Sequence, residues 1–560
     1  MQSYEGVDGM KKWFLCFLIV SLVLSCACGG DDPAADVTEE SDGATSGETS
    51  AAGSEDESTT EPTTESAADP TTDPTTDPTT DPTTESAADP ETDPVTDPAT
   101  DPVTKPVTKP ATEPTTKPVT DPAPKPETKP TTKPTTEPET EPATDPVPII
   151  PVGDEITAET LAQFQIVYGY TNSIAKRAAK TIGEALTARF GVELPVNSDA
   201  RSTQSPFEIL VGKTDRDTDG SRHNALNQHE WLLSYHRSND GTVTIYIDGS
   251  DNESLIRGVE RFICEYIKSG ASLNETISGV HRVPSIRDPA TILVGDTYYI
   301  YGTIGNGYYC YTSKDLLDFE GPFEVCSAAS LPDADGCFWA PECHQYKGKY
   351  YLFVTYHSIS TGYRGCSILR ADSPLGPFTE ITDGHFTPHN ADAIDATLYI
   401  DGNGDPWTVY VGEWTSMPNG VGSMVAARLT DDLTALASDP VTLFYASAGG
   451  ASCTITDGPC IYRAQNGDLL MLWSSGLDSG YSVLTARSTT GDILGPWVQT
   501  GVLYKKDTSN AVTYYDGGHP FLFRDKAGNL RMSIHAPNSG YSNPLFLYLK
   551  ETNGKLEIIK

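Results

Sequence analysis

The most regular pattern of apolar and polar positions lies in the C-terminal half of the chain. From residue 284 onward, a carboxylate repeatedly precedes a short apolar run, a glycine-containing turn and a second apolar run, which is typical of paired buried strands. These carboxylates, roughly 50 to 60 residues apart, are Asp288, Glu342, Asp395, Asp457 and Asp516. Five such all-strand units predict a five-bladed β-propeller over residues 284–560.

In a propeller the first strands of all blades line the axis and run in the same direction. Residues at equivalent positions therefore form a ring, and we expect the five acids to face one another at one rim of the tunnel. The second strands end at the same rim, where Glu413 and His535 are terminal residues. Trp339 and Glu342 are predicted to bind substrate in this cup, with Trp339 offering its ring to a sugar.

The preceding region, 151–283, combines strand patterns with two amphipathic helix patterns. The segment 173–190 ends before Gly191, and a second helical pattern covers 254–270. We find no nucleophile, phosphate loop or carboxylate pair in this region. A small α/β accessory domain is therefore the expectation.

Composition separates residues 31–150 from both regions. This segment consists almost entirely of Thr, Pro, Asp, Glu, Ser, Ala and Lys. So little apolar surface cannot offset the entropy of ordering a chain, which predicts a disordered linker. The net charge of −40 and the lack of a clustered basic face argue against nucleic acid as a partner.

The N-terminal segment, 1–30, has the features of an export signal. Lys11 and Lys12 precede an apolar run that is short for a permanent membrane span, and the run ends at Cys26. The sequence VLSC resembles a lipoprotein signal box, so Cys26 is the predicted lipidation site. A plain secretory signal and an uncleaved anchor are the alternatives. We therefore expect an exported protein tethered to the membrane at the cell surface.

Of eleven cysteines, eight follow the linker. They have neither a CxxC pair nor the spacing of a zinc site, so we expect buried thiols or an occasional disulfide.

A ring of acids suggests glycosidic cleavage. Like charges in a partly dry cup raise some pKa values, whereas a neighbouring cation keeps others low. Cleavage of a glycosidic bond needs one acid to protonate the leaving oxygen and one carboxylate to activate water. Arg287 next to Asp288 favours Asp288 as the base, and Asp395 would orient the acid.

Several motifs together resemble glycoside hydrolase family 43 over essentially all of 284–560. They are RDP at 287–289, WAPE at 339–342, IDATLYID at 394–401 and GGH at 517–519. The resemblance implies a base at Asp288, a pKa-modulating residue at Asp395 and an acid in a Glu-Gly-Pro motif. It also implies an inverting reaction on arabinose- or xylose-containing plant polysaccharides, of the α-L-arabinofuranosidase or β-xylosidase type.

The acid motif departs from the family pattern, because TDGP places Asp457 where Glu is usual. The shorter side chain withdraws the carboxylate by roughly one bond, which matters for catalytic positioning. Asp457 could still serve, Glu413 could replace it, or the acid could be lost. Loss would leave a weak or inactive carbohydrate-binding propeller, which is the alternative function.

His519 follows Asp516 on the fifth inner strand and is expected to point into the tunnel and contact substrate. The resemblance implies that such a histidine helps to hold a hydrated Ca²⁺ on the axis, although no cofactor is required. A core histidine with ordinary hydrogen bonds is the alternative reading.

Overall fold

The computed structural model describes residues 152–217, 221–450 and 452–559. The predicted signal segment, Cys26 and the linker 31–150 lie outside these residues, so their predictions stand as made. Among the helices of the described ranges, none combines the length and the apolar character that a membrane crossing requires.

The region before the propeller contains one mixed sheet and four α-helices. The sheet order is β2-β1-β3-β5-β4-β6, in which β1, β2, β3 and β5 pair in parallel and β4 is antiparallel to both its neighbours. The strands are β1 Gln165–Tyr168, β2 Val196–Ser198, β3 Phe207–Val211, β4 Glu230–Arg237, β5 Val243–Gly249 and β6 Gly279–Arg282. The helices are α1 Ala158–Leu161, α2 Ser173–Phe190, α3 Ser221–Asn224 and α4 Asn252–Arg261, which continues as a π-helix over Phe262–Lys268.

Local sequence explains the two long helices. The side chain of Asn172 accepts hydrogen bonds from two amides of the first turn of α2, and Gly191 ends the helix at a positive φ of 71°. Asp251 caps α4 in the same manner as Asn172 caps α2. Both helices bury their apolar faces, which include Ile182 in α2 and Val259 in α4.

Residues 287–558 form five antiparallel sheets of four strands each. Blade 1 contains β7 Arg287–Val294, β8 Thr297–Gly305, β9 Gly307–Ser313 and β10 Glu320–Ser327. Blade 2 contains β11 Ala334–Tyr346, β12 Lys349–Ser358, β13 Arg364–Ala371 and β14 Thr379–Glu380. Blade 3 contains β15 Ala393–Ile400, β16 Pro406–Gly412, β17 Ser423–Arg428 and β18 Val441–Tyr445. Blade 4 contains β19 Asp457–Arg463, β20 Leu469–Leu477, β21 Gly480–Ser488 and β22 Trp497–Tyr504. Blade 5 contains β23 Gly518–Arg524, β24 Leu530–Ala536, β25 Asn543–Thr552 and β26 Lys555–Ile558. The five-bladed β-propeller predicted from the repeat is confirmed.

Apolar clusters fill the spaces between neighbouring blades. Leu352 packs in the cluster between blades 1 and 2, and Trp473 packs in that between blades 3 and 4. Another cluster joins blade 5 to blade 1 through Phe546 and Ile300, which closes the ring. Seven cysteines are buried free thiols, and burial raises the pKa of Cys343 to about 12. These thiols therefore act as small apolar core groups.

Blades 4 and 5 share a further core with the region that precedes the propeller. This cluster combines Ile182 and Val259 of the helices with Leu472 of β20 and Ile534 of β24. The two regions are therefore packed together through apolar side chains and are not simply joined by the chain.

Candidate active site

Every inner strand of the propeller has the same irregularity on the side of the ring where the axial acids lie. Strand pairing is interrupted by a bulge at one place in all five blades, between the pairs Arg287/Ala290, Trp339/Glu342, Ile394/Thr397, Asp457/Cys460 and Gly518/Phe521. One residue in each bulge has a positive φ of 43° to 60°, and these residues are Asp288, Ala340, Asp395, Gly458 and His519. Such φ values are unfavourable for non-glycine residues, so a repeated occurrence marks a built feature of the fold. We call these five positions the kink positions.

The kink positions correct the predicted ring of five equivalent acids. Only Asp288 and Asp395 occupy equivalent positions. Asp457 lies one residue before its kink, Glu342 lies two residues after the kink at Ala340, and Asp516 precedes β23. The repeat alignment was wrong at these three acids because the distance from the acid to the kink differs between blades, and the kink sets which residue reaches the axis.

Interblade hydrogen bonds hold the kinked backbone. The amide of Ala340 donates to Thr303 Oγ1 (2.8 Å), that of Asp395 to Thr355 Oγ1 (3.0 Å), and that of His519 to Ser474 Oγ (2.8 Å). Each acceptor belongs to the second strand of the preceding blade. The bulge frees an amide from the strand ladder, and the neighbouring blade supplies its partner.

Four side chains, one from each of blades 1, 3, 4 and 5, meet at the axis. His519 Nδ1 lies 3.3 Å from Asp288 Oδ1, 3.8 Å from Asp395 Oδ2 and 3.8 Å from Asp457 Oδ1. We call Asp288, Asp395, Asp457 and His519 the axial cluster. The structure therefore brings three of the four predicted catalytic residues together around the predicted histidine.

Gly458 makes this approach possible. It is the kink position of blade 4, and a Cβ built there would lie 2.8 Å from His519 Cγ. Its φ of 46° and this close approach both favour glycine. The Gly458 amide donates to Asp395 Oδ2 at 3.2 Å, which fixes that carboxylate beside Asp457.

Asp288 is held in the charged form. Burial alone would raise the pKa of this carboxyl, but His519, His535 and Arg287 together keep it well below its ordinary value. Thr303 Oγ1 donates to Asp288 Oδ2 at 2.7 Å. A carboxylate that stays ionised in a nearly dry site is suited to accept a proton.

Asp395 has the opposite environment. Its side chain is 5% exposed, and burial together with the charges of Asp457 and Asp288 raises its pKa well above the ordinary value. The raised pKa favours the protonated form of Asp395, which relieves its repulsion from the neighbouring carboxylates.

Asp457 is the most accessible acid of the cluster, with 23% of its side chain exposed. The Tyr481 hydroxyl donates to Asp457 Oδ2 at 2.6 Å. Burial and the negative charge of Asp457 raise the pKa of Tyr481 well above its usual value, so this hydroxyl keeps its proton. Asp516 lies behind Tyr481 and accepts a hydrogen bond from its amide at 3.3 Å.

Glu413 is not the free rim acid that the sequence suggested. Arg364 donates from Nε to Glu413 Oε2 at 2.7 Å and from Nη2 to Oε1 at 3.0 Å. The Glu413 side chain is only 2% exposed. Burial raises the pKa of Glu413, and Arg364 opposes that rise. The two hydrogen bonds join the carboxylate and the guanidinium in a two-point ion pair. The second candidate acid is therefore paired at both carboxylate oxygens with an arginine of the neighbouring blade.

The two other predicted substrate-binding residues lie at different depths. Trp339 precedes the kink of blade 2, and the Arg364 guanidinium lies 5.6 Å from its ring centroid. Glu342 is buried deeper in the tunnel, where it accepts hydrogen bonds from Thr397 Oγ1 and interacts with His344 Nε2 at 2.6 Å. Trp339 is therefore near the mouth of the cup, whereas Glu342 belongs to a lower polar layer.

A cation at the axis would have few protein ligands. Asp395, Asp457 and His519 each offer one ligand atom, and these atoms lie within 4.8 Å of one another. Calcium takes six to eight ligands, almost always oxygens, whereas one of these three is an imidazole nitrogen. The donor set does not fit a protein-built calcium site, and the reaction proposed below needs no metal step.

Sequence reasoning missed the residues that support the cluster. Tyr481 lies on the third strand of blade 4, outside the two strands that the repeat alignment used. The sequence did contain a signal for the hydroxyl residues that accept from the kinked backbone. Each of them stands on a second strand opposite the residue that precedes a kink, and they are Thr303, Thr355 and Ser474. A polar residue recurring at that place in the second strands would have identified them.

Known proteins are similar in sequence to the propeller region of this chain. Residues 283–549 match the sequence family described as Glycosyl hydrolases family 43. The endo-arabinase from Bacteroides thetaiotaomicron, a solved structure, is 36% identical and is covered over 99% of its length by 49% of this chain, with a TM-score of 0.44. An endo-1,4-beta-xylanase from the same organism is 24% identical over 50% of this chain and 95% of its own, with a TM-score of 0.43.

A curated relative shows the same similarity in part. The extracellular exo-alpha-(1->5)-L-arabinofuranosidase ArbA of Cellvibrio japonicus (strain Ueda107) is 27% identical over 244 residues, which are 38% of this chain. The match spans slightly less than two thirds, 66%, of that relative's length. The fold and the matched sequence define a glycosidase. The chain belongs to glycosyl hydrolase family 43.

Proposed function

We propose that this protein is an exported inverting glycosidase that cleaves arabinose-containing plant polysaccharides. The observation that carries the proposal is the axial cluster, in which an ionised Asp288 and the neighbouring acids Asp395 and Asp457 surround His519. A water molecule needs an ionised carboxylate to accept its proton, and a glycosidic oxygen needs a protonated carboxyl to donate one. The axial cluster offers both kinds of group.

Asp288 acts as the general base. It accepts a proton from a water molecule as the water oxygen attacks the anomeric carbon. Thr303 Oγ1 and the backbone of the kink orient its carboxylate. Because its pKa lies well below the ordinary value, Asp288 stays charged over the whole neutral range.

Asp457 acts as the general acid. As the bond between the anomeric carbon and the glycosidic oxygen breaks, Asp457 gives its proton to the departing oxygen. A raised pKa favours the protonated form of the neighbouring Asp395, and Tyr481 fixes the second carboxyl oxygen of Asp457. Asp457 is the more exposed member of the pair, which supports its contact with substrate.

The base and the acid lie close together. Asp288 Oδ1 is 3.3 Å and Asp457 Oδ1 is 3.8 Å from the same His519 nitrogen, so the two oxygens are at most about 7 Å apart. This limit includes the roughly 5–5.5 Å separation of retaining enzymes and the lower end of the roughly 6.5–9.5 Å range of inverting enzymes. Inversion is therefore proposed from the resemblance to the family, and the anomeric configuration of the product tests it.

The similarity to an endo-arabinase and to an extracellular arabinofuranosidase supports arabinose over xylose and supports export. The lipid anchor at Cys26 and the linker 31–150 would place the propeller at a distance from the membrane. The region 151–283 is proposed as an accessory part of the same enzyme.

Proton NMR of product formation tests this function. Wild-type protein and Asp288→Asn are incubated with arabinan, arabinoxylan and aryl arabinofuranosides and xylosides. We expect the first released sugar to have the inverted anomeric configuration, with no release by Asp288→Asn. A retained configuration contradicts the mechanism, and tight oligosaccharide binding without products favours the carbohydrate-binding alternative.

A further inference from the structure

The region before the propeller contacts one particular segment of blade 5. This segment, residues 536–543, is the loop between β24 and β25 together with the last residue of β24 and the first residue of β25, and we call it the loop 536–543. Arg257 Nη2 of α4 donates to the Ala536 carbonyl at 2.8 Å. The ring of Tyr541 stacks on His229 with centroids 3.6 Å apart, and its hydroxyl donates to the Val283 carbonyl at 2.8 Å. This loop is therefore held from outside the propeller at its start and near its end.

The inner side of the same loop contacts the residues around Asp288. Arg287 Nη1 donates to the Asn538 carbonyl at 2.6 Å, and Nη2 donates to Asn538 Oδ1 at 3.1 Å. His535 Nε2 lies 3.1 Å from the same Asn538 oxygen. Asn538 thus fixes both the arginine and the histidine that neighbour the proposed base.

His535 contacts both Asp288 and Asn538. Its Nδ1 lies 3.2 Å from the amide nitrogen and 3.2 Å from Oδ1 of Asp288, and its Nε2 lies 3.1 Å from Asn538 Oδ1. Burial and Arg287 lower the pKa of His535, which favours a neutral ring. His535 therefore holds the strained backbone at Asp288, where φ is 53°.

Arg257 is a charged residue that is costly to bury. Its side chain is 3% exposed, and its carboxylate neighbour Glu260 lies 3.7 Å away, beyond a good hydrogen bond. It donates a hydrogen bond to the Ala536 carbonyl. The carbonyl that it fixes belongs to the residue directly after His535.

From these contacts we infer that the region 151–283 is a structural part of the catalytic site, and that Arg257 is a positioning residue for Asp288. The connection runs from Arg257 to the loop 536–543, through Asn538 to His535 and Arg287, and from these to Asp288. The inference rests on the proposed role of Asp288 as base.

Kinetics of full-length variants test the inference. Arg257→Met is expected to lower kcat on an aryl arabinofuranoside about tenfold with KM changed less than about twofold, because a small displacement of a base affects the chemical step more than binding. Arg257→Lys keeps a cationic donor and should recover most of the loss.

Glu265→Gln is the matched control. Glu265 pairs with Arg531 at the opposite end of β24, at 2.6 Å, so it also joins the two regions but lies far from His535 along the strand. We expect its melting temperature to fall while kcat stays within about twofold of wild type. A loss of melting temperature in Arg257→Met with an unchanged kcat would show a purely structural role and overturn the inference.

Two further measurements cover the remaining outcomes. If circular dichroism shows that Arg257→Met does not fold, Tyr541→Phe decides, since it removes only the bond to Val283, and an unchanged kcat again overturns the inference. If wild type turns over no substrate, the proposed function fails by itself. The crystal structure of Arg257→Met, or of Tyr541→Phe if Arg257→Met does not fold, then decides: a displaced His535 supports the positioning role and an unchanged contact with Asp288 rejects it.

Discussion

Two groups of buried carboxylates in this propeller have different neighbours and therefore different chemistry. Glu413 forms a two-point ion pair with Arg364, which satisfies both carboxylate oxygens. In the axial cluster, His519 is shared by three aspartates, and no arginine pairs with Asp395 or Asp457 among the described contacts. A carboxylate with its own arginine is a structural anion, whereas acids that compete for one neighbour must divide protons among themselves.

Glu413 and Asp457 also show that the place of a carboxyl group in the fold matters more than whether it belongs to Glu or Asp. A glutamate is the expected acid of the family pattern, yet the glutamate near the rim is neutralised and the shorter Asp457 lies at the axis. The local backbone therefore decides which carboxyl can react.

Replacing the base should have the largest effect. Asp288→Asn is expected to lower kcat about 10³-fold, because the amide cannot accept a proton from water. Oligosaccharide affinity measured by calorimetry should change little, since the variant keeps the size and hydrogen-bonding oxygen of the side chain. A variant that retains wild-type kcat would remove Asp288 from the mechanism.

Asp395→Asn should lower kcat about 10²-fold and also change how stability depends on pH. The pKa of Asp395 is raised in the folded state, so its contribution to stability is full below the ordinary aspartate value and is lost as pH rises through the folded-state value. Asp395→Asn should lack this loss of stability at higher pH.

Urea unfolding from about pH 4 to pH 8 measures the difference between wild type and Asp395→Asn. We expect the variant to gain stability relative to wild type as pH rises. A constant difference over this range would show that the aspartate is not protonated at the axis.

Glu413→Gln should mainly affect stability. Removing one partner leaves the Arg364 charge without its main neighbour, and we expect a loss of about 2 kcal/mol in the free energy of unfolding, with kcat within about fivefold of wild type. The double variant Glu413→Gln/Arg364→Gln is the control, and it should recover part of the loss. A kcat loss with unchanged stability would instead give Glu413 a catalytic role.

Trp339→Ala should have the smallest effect. The ring lies near the mouth of the cup with Arg364 on one side, so we expect KM to rise about fivefold through lost contact with a sugar. Trp339→Phe, which keeps an aromatic face, should be intermediate. An unchanged KM for oligosaccharides in both variants would place the sugar elsewhere.

The architecture could be predicted from the sequence, but the depth of each side chain could not. Repeating strand pairs were enough to identify five blades, because burial of alternating apolar residues leaves a strong pattern. The kink at Asp288 and its counterparts could not be seen, since a bulge inserts a residue without changing composition. That is why Glu342 and Asp516 were placed in a ring that they do not join.

Side-chain contacts between residues far apart in the sequence could not be predicted either. Arg364 reaches Glu413 across 49 positions, and Tyr481 reaches Asp457 from the third strand of its blade. No local pattern reports such contacts. The motifs RDP, IDA and DGP nevertheless identified the three aspartates of the axial cluster, because short motifs at strand starts keep their place in the fold.

The most direct test of the central claim asks which carboxyl protonates the leaving group. Rates of Asp457→Asn and Glu413→Gln are measured on aryl arabinofuranosides whose leaving groups range from dinitrophenol to phenol. We predict that Asp457→Asn is nearly as fast as wild type with dinitrophenol, which leaves without a proton, and becomes progressively slower towards phenol, while Glu413→Gln follows wild type throughout. If Glu413→Gln instead became slower towards phenol while Asp457→Asn followed wild type, Asp457 would not be the general acid.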